Sequence, residues 1–161
     1  MSGIDEDLKP AEAGLRSPSA RERDSAAGVL TDYLEYGDIS HEVRLRIGIW
    51  LMDALWKEHD ATALESILHG LIAVNLPAPC PQLPWHRVGE YLSRLKSPLL
   101  GEYGIGMLGE CGDPAMTAFV RPYLEHSEEI VRQEAERAMM LLEQIPSPSN
   151  TETQARSCPG C

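Results

Sequence analysis

Basic side chains are scarce: 14 Lys and Arg stand against 25 Asp and Glu, a formal net charge of −11 over 161 residues. Such a surface repels phosphate backbones at every separation within a Debye length or so, which disfavours general nucleic-acid binding. Long apolar runs are also missing. Asp53, Lys57, Asn75 and Glu102 break the best candidates before they reach the ~18 residues that a membrane helix requires. Residues 1–8 carry acids where a signal peptide carries lysines, so a soluble, cytoplasmic protein without membrane contact is expected. Aromatics make up only 6%, with a single Phe, which leaves a core of Leu, Ile, Val, Met and Ala and favours helices. The four cysteines, Cys80, Cys111, Cys158 and Cys161, are too few and too unevenly spaced for a secreted disulfide framework, and reduced thiols are expected.

What the chain does have is a regular succession of helix starts and stops. Ser17 and Pro18 open a segment to residue 36, closed by Gly37, with Ala26, Val29, Leu30, Tyr33 and Leu34 on one face. Ser40 caps a second segment, 41–57, and Asp60 a third, 61–74. Four prolines within 77–84 make a rigid loop that neither a helix nor a central strand accommodates. Beyond it, helices are expected over 84–95, 98–111, 114–124 and 127–145, several of them opened by Ser or Asp followed by Pro or Glu. No strand emerges. Residues 146–161, rich in Pro, Ser, Thr and Gln and without large apolar side chains, read as a disordered tail behind a single helical domain, 1–145.

The helices repeat. A shift of 31 residues lays Leu100 on Val131, Gly104 on Ala135 and Leu108 on Met139; a shift of 109 lays Leu15 on Leu124, Arg23 on Arg132, Ala26 on Ala135 and Leu30 on Met139. Recurring small and large positions at this period indicate stacked helix pairs, because one pair cannot bury its own apolar face. Leu100, Leu108, Val131, Ala135, Ala138 and Met139 are the expected core of the C-terminal part.

The stretch Leu108-Gly109-Glu110-Cys111-Gly112-Asp113-Pro114-Ala115, followed by Tyr123-Leu124 and Val131-Arg132-Gln133-Glu134-Ala135, resembles a HEAT repeat. It is similar in particular to the short HEAT-like repeats of phycobilin lyases. The match is good over 95–145, fair over 15–36 and poor over 41–94. The resemblance implies an all-α fold, an α-solenoid of about four antiparallel helix pairs, in which Arg23 and Arg132 bond to the neighbouring turn.

Chemistry has no visible seat. Some HEAT-like proteins are di-iron hydroxylases with His-Glu pairs at matched repeat positions, but here Gln133 occupies the place a histidine would take. Cys158 and Cys161 have the two-residue gap of a metal or redox half-site without the other ligands or a helix start, so no metal, cofactor or catalytic residue is assigned. His69 is expected to pack or line a groove, Cys111 to pack, and Cys80 to be a partly exposed loop thiol.

An acidic helical repeat without a catalytic constellation reads as a protein-binding module. Asp24, Glu102 and Gln133 follow the Arg slot of their repeats and are expected to form a row along the second helices, with Glu110, Glu129 and Glu136 on the same C-terminal helices. Carboxylates in a row steer a basic partner, which makes an immunity- or inhibitor-type protein masking a cationic toxin the expected function. Trp85, His86 and Arg87, beside the proline loop, are a second candidate contact, because aromatic and arginine side chains are frequent anchors. Two competing readings follow from the resemblance. A phycobilin-lyase-like, chromophore-handling protein would need Arg121, Arg132 and Arg137 for pigment propionates, and a HEAT-like DNA-repair protein is opposed by the net charge.

Overall fold

The structure, a computed structural model, describes residues 3–146; the expected tail beyond Pro146, including Cys158 and Cys161, lies outside the described residues. Among these, all regular structure is helical and no strand occurs. The helices are α1 (Gly3–Gly14), α2 (Ala20–Tyr36), α3 (His41–Leu55), α4 (Ala61–Val74), α5 (His86–Tyr91), α6 (Pro98–Glu110), α7 (Thr117–Val120) and α8 (Glu129–Glu143).

Caps explain most of the starts. Ser40 accepts a bond from the Val43 amide, Asp60 from the Thr62 and Ala63 amides, and Asp113 from the Ala115 amide, so each supplies an acceptor to amides with no partner inside the helix. Ahead of α2 the cap is Ser19, two residues later than expected; Ser17 instead accepts the Ser19 amide at 3.1 Å and braces the turn. Glu128, not Ser127, stands at the start of α8 and gives no side-chain cap, and neither does Ser97 ahead of α6. Gly112, at φ 81°, ends α6 in the left-handed region, as the Gly-Asp turn requires.

Three segments depart from expectation. Helix α1 was not foreseen, although Leu8, Ala11 and Leu15 are buried at helical spacing. Pro10 inside it obscured the pattern. The helix expected over 114–124 is a four-residue α-turn between two 3₁₀ turns, Pro114–Met116 and Arg121–Glu125. Pro122 lacks the amide that would continue an α-helix there. The helix expected over 84–95 begins only at His86 and closes as a 3₁₀ turn, Leu92–Arg94.

Helix α1 packs on α2, α3 on α4, α5 on α6, and α7 with its following 3₁₀ turn on α8. The second members also touch in succession, α2 against α4, α4 against α6 and α6 against α8. Close approach depends on small residues: a Cβ on Gly109 would lie 2.7 Å from both Cα and Cβ of Ala138, so α6 and α8 meet there nearly backbone to backbone. Leu100, Leu108, Val131, Ala135, Ala138 and Met139 are all buried in one core with Leu30, Ile47, Leu51, Leu68 and Leu71.

Arg44 on α3 is buried and joins two helix ends. Its guanidinium donates to the Leu34 carbonyl near the end of α2, at 3.1 Å, and to the Ala73 carbonyl near the end of α4, at 3.2 Å. A cation at helix C-termini offsets their partial negative charge, and at Ala73 it adds a bond to a carbonyl that already accepts the Leu76 amide.

Candidate functional site

Counting from the residue that precedes each helix brings four side chains into register. Asp24 on α2, Glu65 on α4, Glu102 on α6 and Gln133 on α8 each stand five positions after Ser19, Asp60, Ser97 and Glu128 respectively. Glu65 is a member that sequence reading missed, because 41–94 matched the repeat poorly; counting from the Asp60 cap finds it. Gln133 is exposed, and the three acids are half-buried. Asp24 is partly committed, since its carboxylate accepts the Ser66 hydroxyl of α4 at 2.5 Å.

Farther along the same helices a groove of about 200 Å³ opens, lined by Glu102, Tyr103, Gly106 and Glu110 of α6 and by Glu134 and Arg137 of α8. Gly106 makes room: a Cβ there would sit 2.6 Å from a Glu134 carboxylate oxygen. The Arg137 guanidinium donates to Glu134 at 2.6 Å and to Glu110 at 3.0 Å, bridging α8 to α6. Hydrogen bonding to Glu134 raises the Arg137 pKa against the opposing effect of burial, so its charge is permanent and spent on this pair. Three carboxylates face one guanidinium, which leaves the groove acidic. His69 of α4 is exposed, with its ring centroid 4.9 Å from that of Tyr103, one of the residues that line the groove.

The remaining candidates separate. Glu129 and Glu136 are exposed on α8, and Glu129 accepts the Gln133 side-chain amide at 3.0 Å. Trp85 is corrected: it is fully buried, and its indole N–H donates to the Cys80 carbonyl at 2.8 Å, so it anchors the proline loop into the core and presents nothing to a partner. His86 beside it is exposed, and Arg87 is half-buried and paired with Asp53 of α3 at 2.8 Å. The expectation of a partly exposed Cys80 is corrected too. Cys80 is buried, its amide bonded to the Asn75 side chain, because the loop folds back over the end of α4. Burial raises the Cys80 thiol and pushes Cys111 up to about 12, so both are inert packing groups at neutral pH.

An ion pair between a half-buried arginine and a buried carboxylate joins α2 to the turn between α3 and α4. Glu58, between α3 and α4, is 3% exposed and accepts from Arg23 of α2 at 2.7 and 2.9 Å, and it also receives the His59 and Asp60 amides. Hydrogen bonding to Arg23, with the two amides in support, outweighs desolvation and lowers its carboxyl to about 2. The other arm of Arg23 donates to the Ser17 and Pro18 carbonyls, and Arg132 donates in the same way to the His126 and Ser127 carbonyls, 2.6 and 2.8 Å away. These positions are related by the 109-residue shift. So are the braces beneath them, since His126 accepts the Glu128 amide as Ser17 accepts that of Ser19.

Arg132 and Arg137 are therefore both engaged, which removes two of the three arginines a pigment's propionates would require. Among the described residues no group of three or more His, Cys, Asp or Glu is arranged to hold a metal ion, and no helix is long and apolar enough to cross a membrane. No protein-family model matches the chain, and no curated protein matches it.

Proposed function

We propose that the chain is a non-catalytic protein-binding module of short HEAT-like repeats, and that the acidic face of α2, α4, α6 and α8 binds a basic protein. The single observation that carries this reading is the alignment of Asp24, Glu65, Glu102 and Gln133 at one repeat position, leading into a groove where three carboxylates face one guanidinium. Aligned carboxylates on a chain of charge −11 attract a cationic surface over a Debye length and orient it before contact. The repeat reading is supported by the four helix pairs and by the matched turns that Arg23 and Arg132 close. The acidity suits an immunity- or inhibitor-type protein that masks a cationic toxin.

The test is affinity capture with the wild-type chain and with a Glu65→Lys/Glu102→Lys variant, at low and at high salt. A basic protein retained by the wild type at low salt, and lost with the variant, is the expected result. Equal capture by both chains would move the binding surface off this face.

A further inference from the structure

A cleft larger than the acidic groove lies elsewhere, and its lining, with Arg16, Arg23 and Lys57 against Glu12 and Asp53, is opposite in sign to the chain as a whole. It encloses about 620 Å³ between α1, the turn into α2, and α3, within the ~300–1,000 Å³ typical of small-molecule sites. It shares no lining residue with the acidic groove. Leu15, Trp50 and Ala54 supply its apolar surface, and Trp50 is held by Arg46, whose guanidinium sits 5.6 Å from the ring centroid.

Charge accounting narrows the ligand. Arg16 is engaged by Glu12 at 2.7 Å, and Arg23 gives all its nitrogens to Glu58 and to the Ser17 and Pro18 carbonyls. Asp53 is matched by Arg87. That leaves Lys57 and His59, two residues apart in the cleft lining and both exposed, to meet a ligand. One ammonium and one imidazole beside an indole wall match a single anionic group on a flat apolar body. A polyphosphate carries more negative charge than the one remaining ammonium offsets.

We propose that this cleft binds a small planar organic monoanion, an aromatic carboxylate or sulfonate, with Lys57 and His59 on the anionic group and Trp50 against the ring. The site is independent of the acidic face and survives if that face has no partner.

The experiment is a titration of the full chain with 2-naphthoate, followed by the indole N–H resonances in ¹⁵N–¹H NMR. Trp50 should shift saturably, while Trp85, sealed in the core, should stay in place. Uncharged 2-naphthylmethanol should bind about tenfold or more weakly, and Lys57→Glu should weaken 2-naphthoate by a similar factor, because both remove the charge-assisted contact. Lys57 is exposed, so the variant folds; an unchanged thermal midpoint verifies this. His59→Ala should lose part of the affinity. Absence of a saturable shift at Trp50, or equal affinity of wild type and Lys57→Glu for 2-naphthoate, would overturn the proposal.

Discussion

Glu58 concentrates more consequences in one side chain than any other residue described. Its folded pKa, about 2, lies below the ordinary 4.5, so the unfolded chain binds the proton first as pH falls. The stabilisation it contributes is therefore complete above about pH 4.5 and disappears as pH drops towards 2. Integrated over that window it amounts to about 3 kcal/mol. Urea melts of the wild type should lose this much between neutral pH and about pH 2, whereas Glu58→Gln should start lower and show a flatter acid limb. Parallel acid limbs for the two proteins would show that the pair with Arg23 contributes nothing. The cysteines provide a second check at this scale. In a Cys158→Ser/Cys161→Ser background, Cys80 and Cys111 should resist a thiol reagent in the native state and react once urea unfolds the chain, because both are buried with raised pKa values. Rapid native labelling of either would place it at the surface.

At the scale of the elements, the contact of α6 with α8 rests on Gly109. Gly109→Ala puts a methyl group 2.7 Å from Ala138, and forcing the helices apart should cost about 1–3 kcal/mol despite the better helix propensity of alanine. Ala138→Gly in the same chain should recover part of the loss, a coupling that a double-mutant cycle in urea measures directly. Helices α3 and α4 were readable because Ser40 and Asp60 cap them as expected, and α6 and α8 from their apolar stripes alone, since Leu100, Leu108, Val131, Ala135, Ala138 and Met139 are buried where their spacing put them. Helix α1 was not, since Pro10 breaks the local pattern and only packing of Leu8, Ala11 and Leu15 against α2 outweighs it. Pro122 had the reverse effect, turning a stretch of good apolar spacing into 3₁₀ turns. Arg23 and Arg132 close matched turns 109 residues apart. Arg132→Met should lower the thermal midpoint by freeing two turn carbonyls, and Arg23→Met should lower it further because Glu58 is then left buried without its partner.

Across the whole molecule, the legible part of the candidate site was its charge, and the illegible part was its commitments. Asp24, Glu102 and Gln133 were found from the repeat alone, yet nothing local announces that Asp24 receives Ser66 or that Arg137 is shared by Glu110 and Glu134. Such partners lie on neighbouring helices, where register and side-chain direction decide. Trp85 misled for the same reason: an aromatic after a proline loop suits an anchor or a plug, and only the position of the Cys80 carbonyl makes it the plug. The acidic face keeps its uncommitted charge at Glu65 and Glu102, and the central claim concerns what that charge does. Stopped-flow association of the captured basic partner with wild type and with Glu65→Lys/Glu102→Lys, across a salt series, tests it most directly. The reversal should slow association by about tenfold or more at low salt, with the difference shrinking as salt screens the face. Equal association rates for the two proteins at every salt concentration would contradict the account.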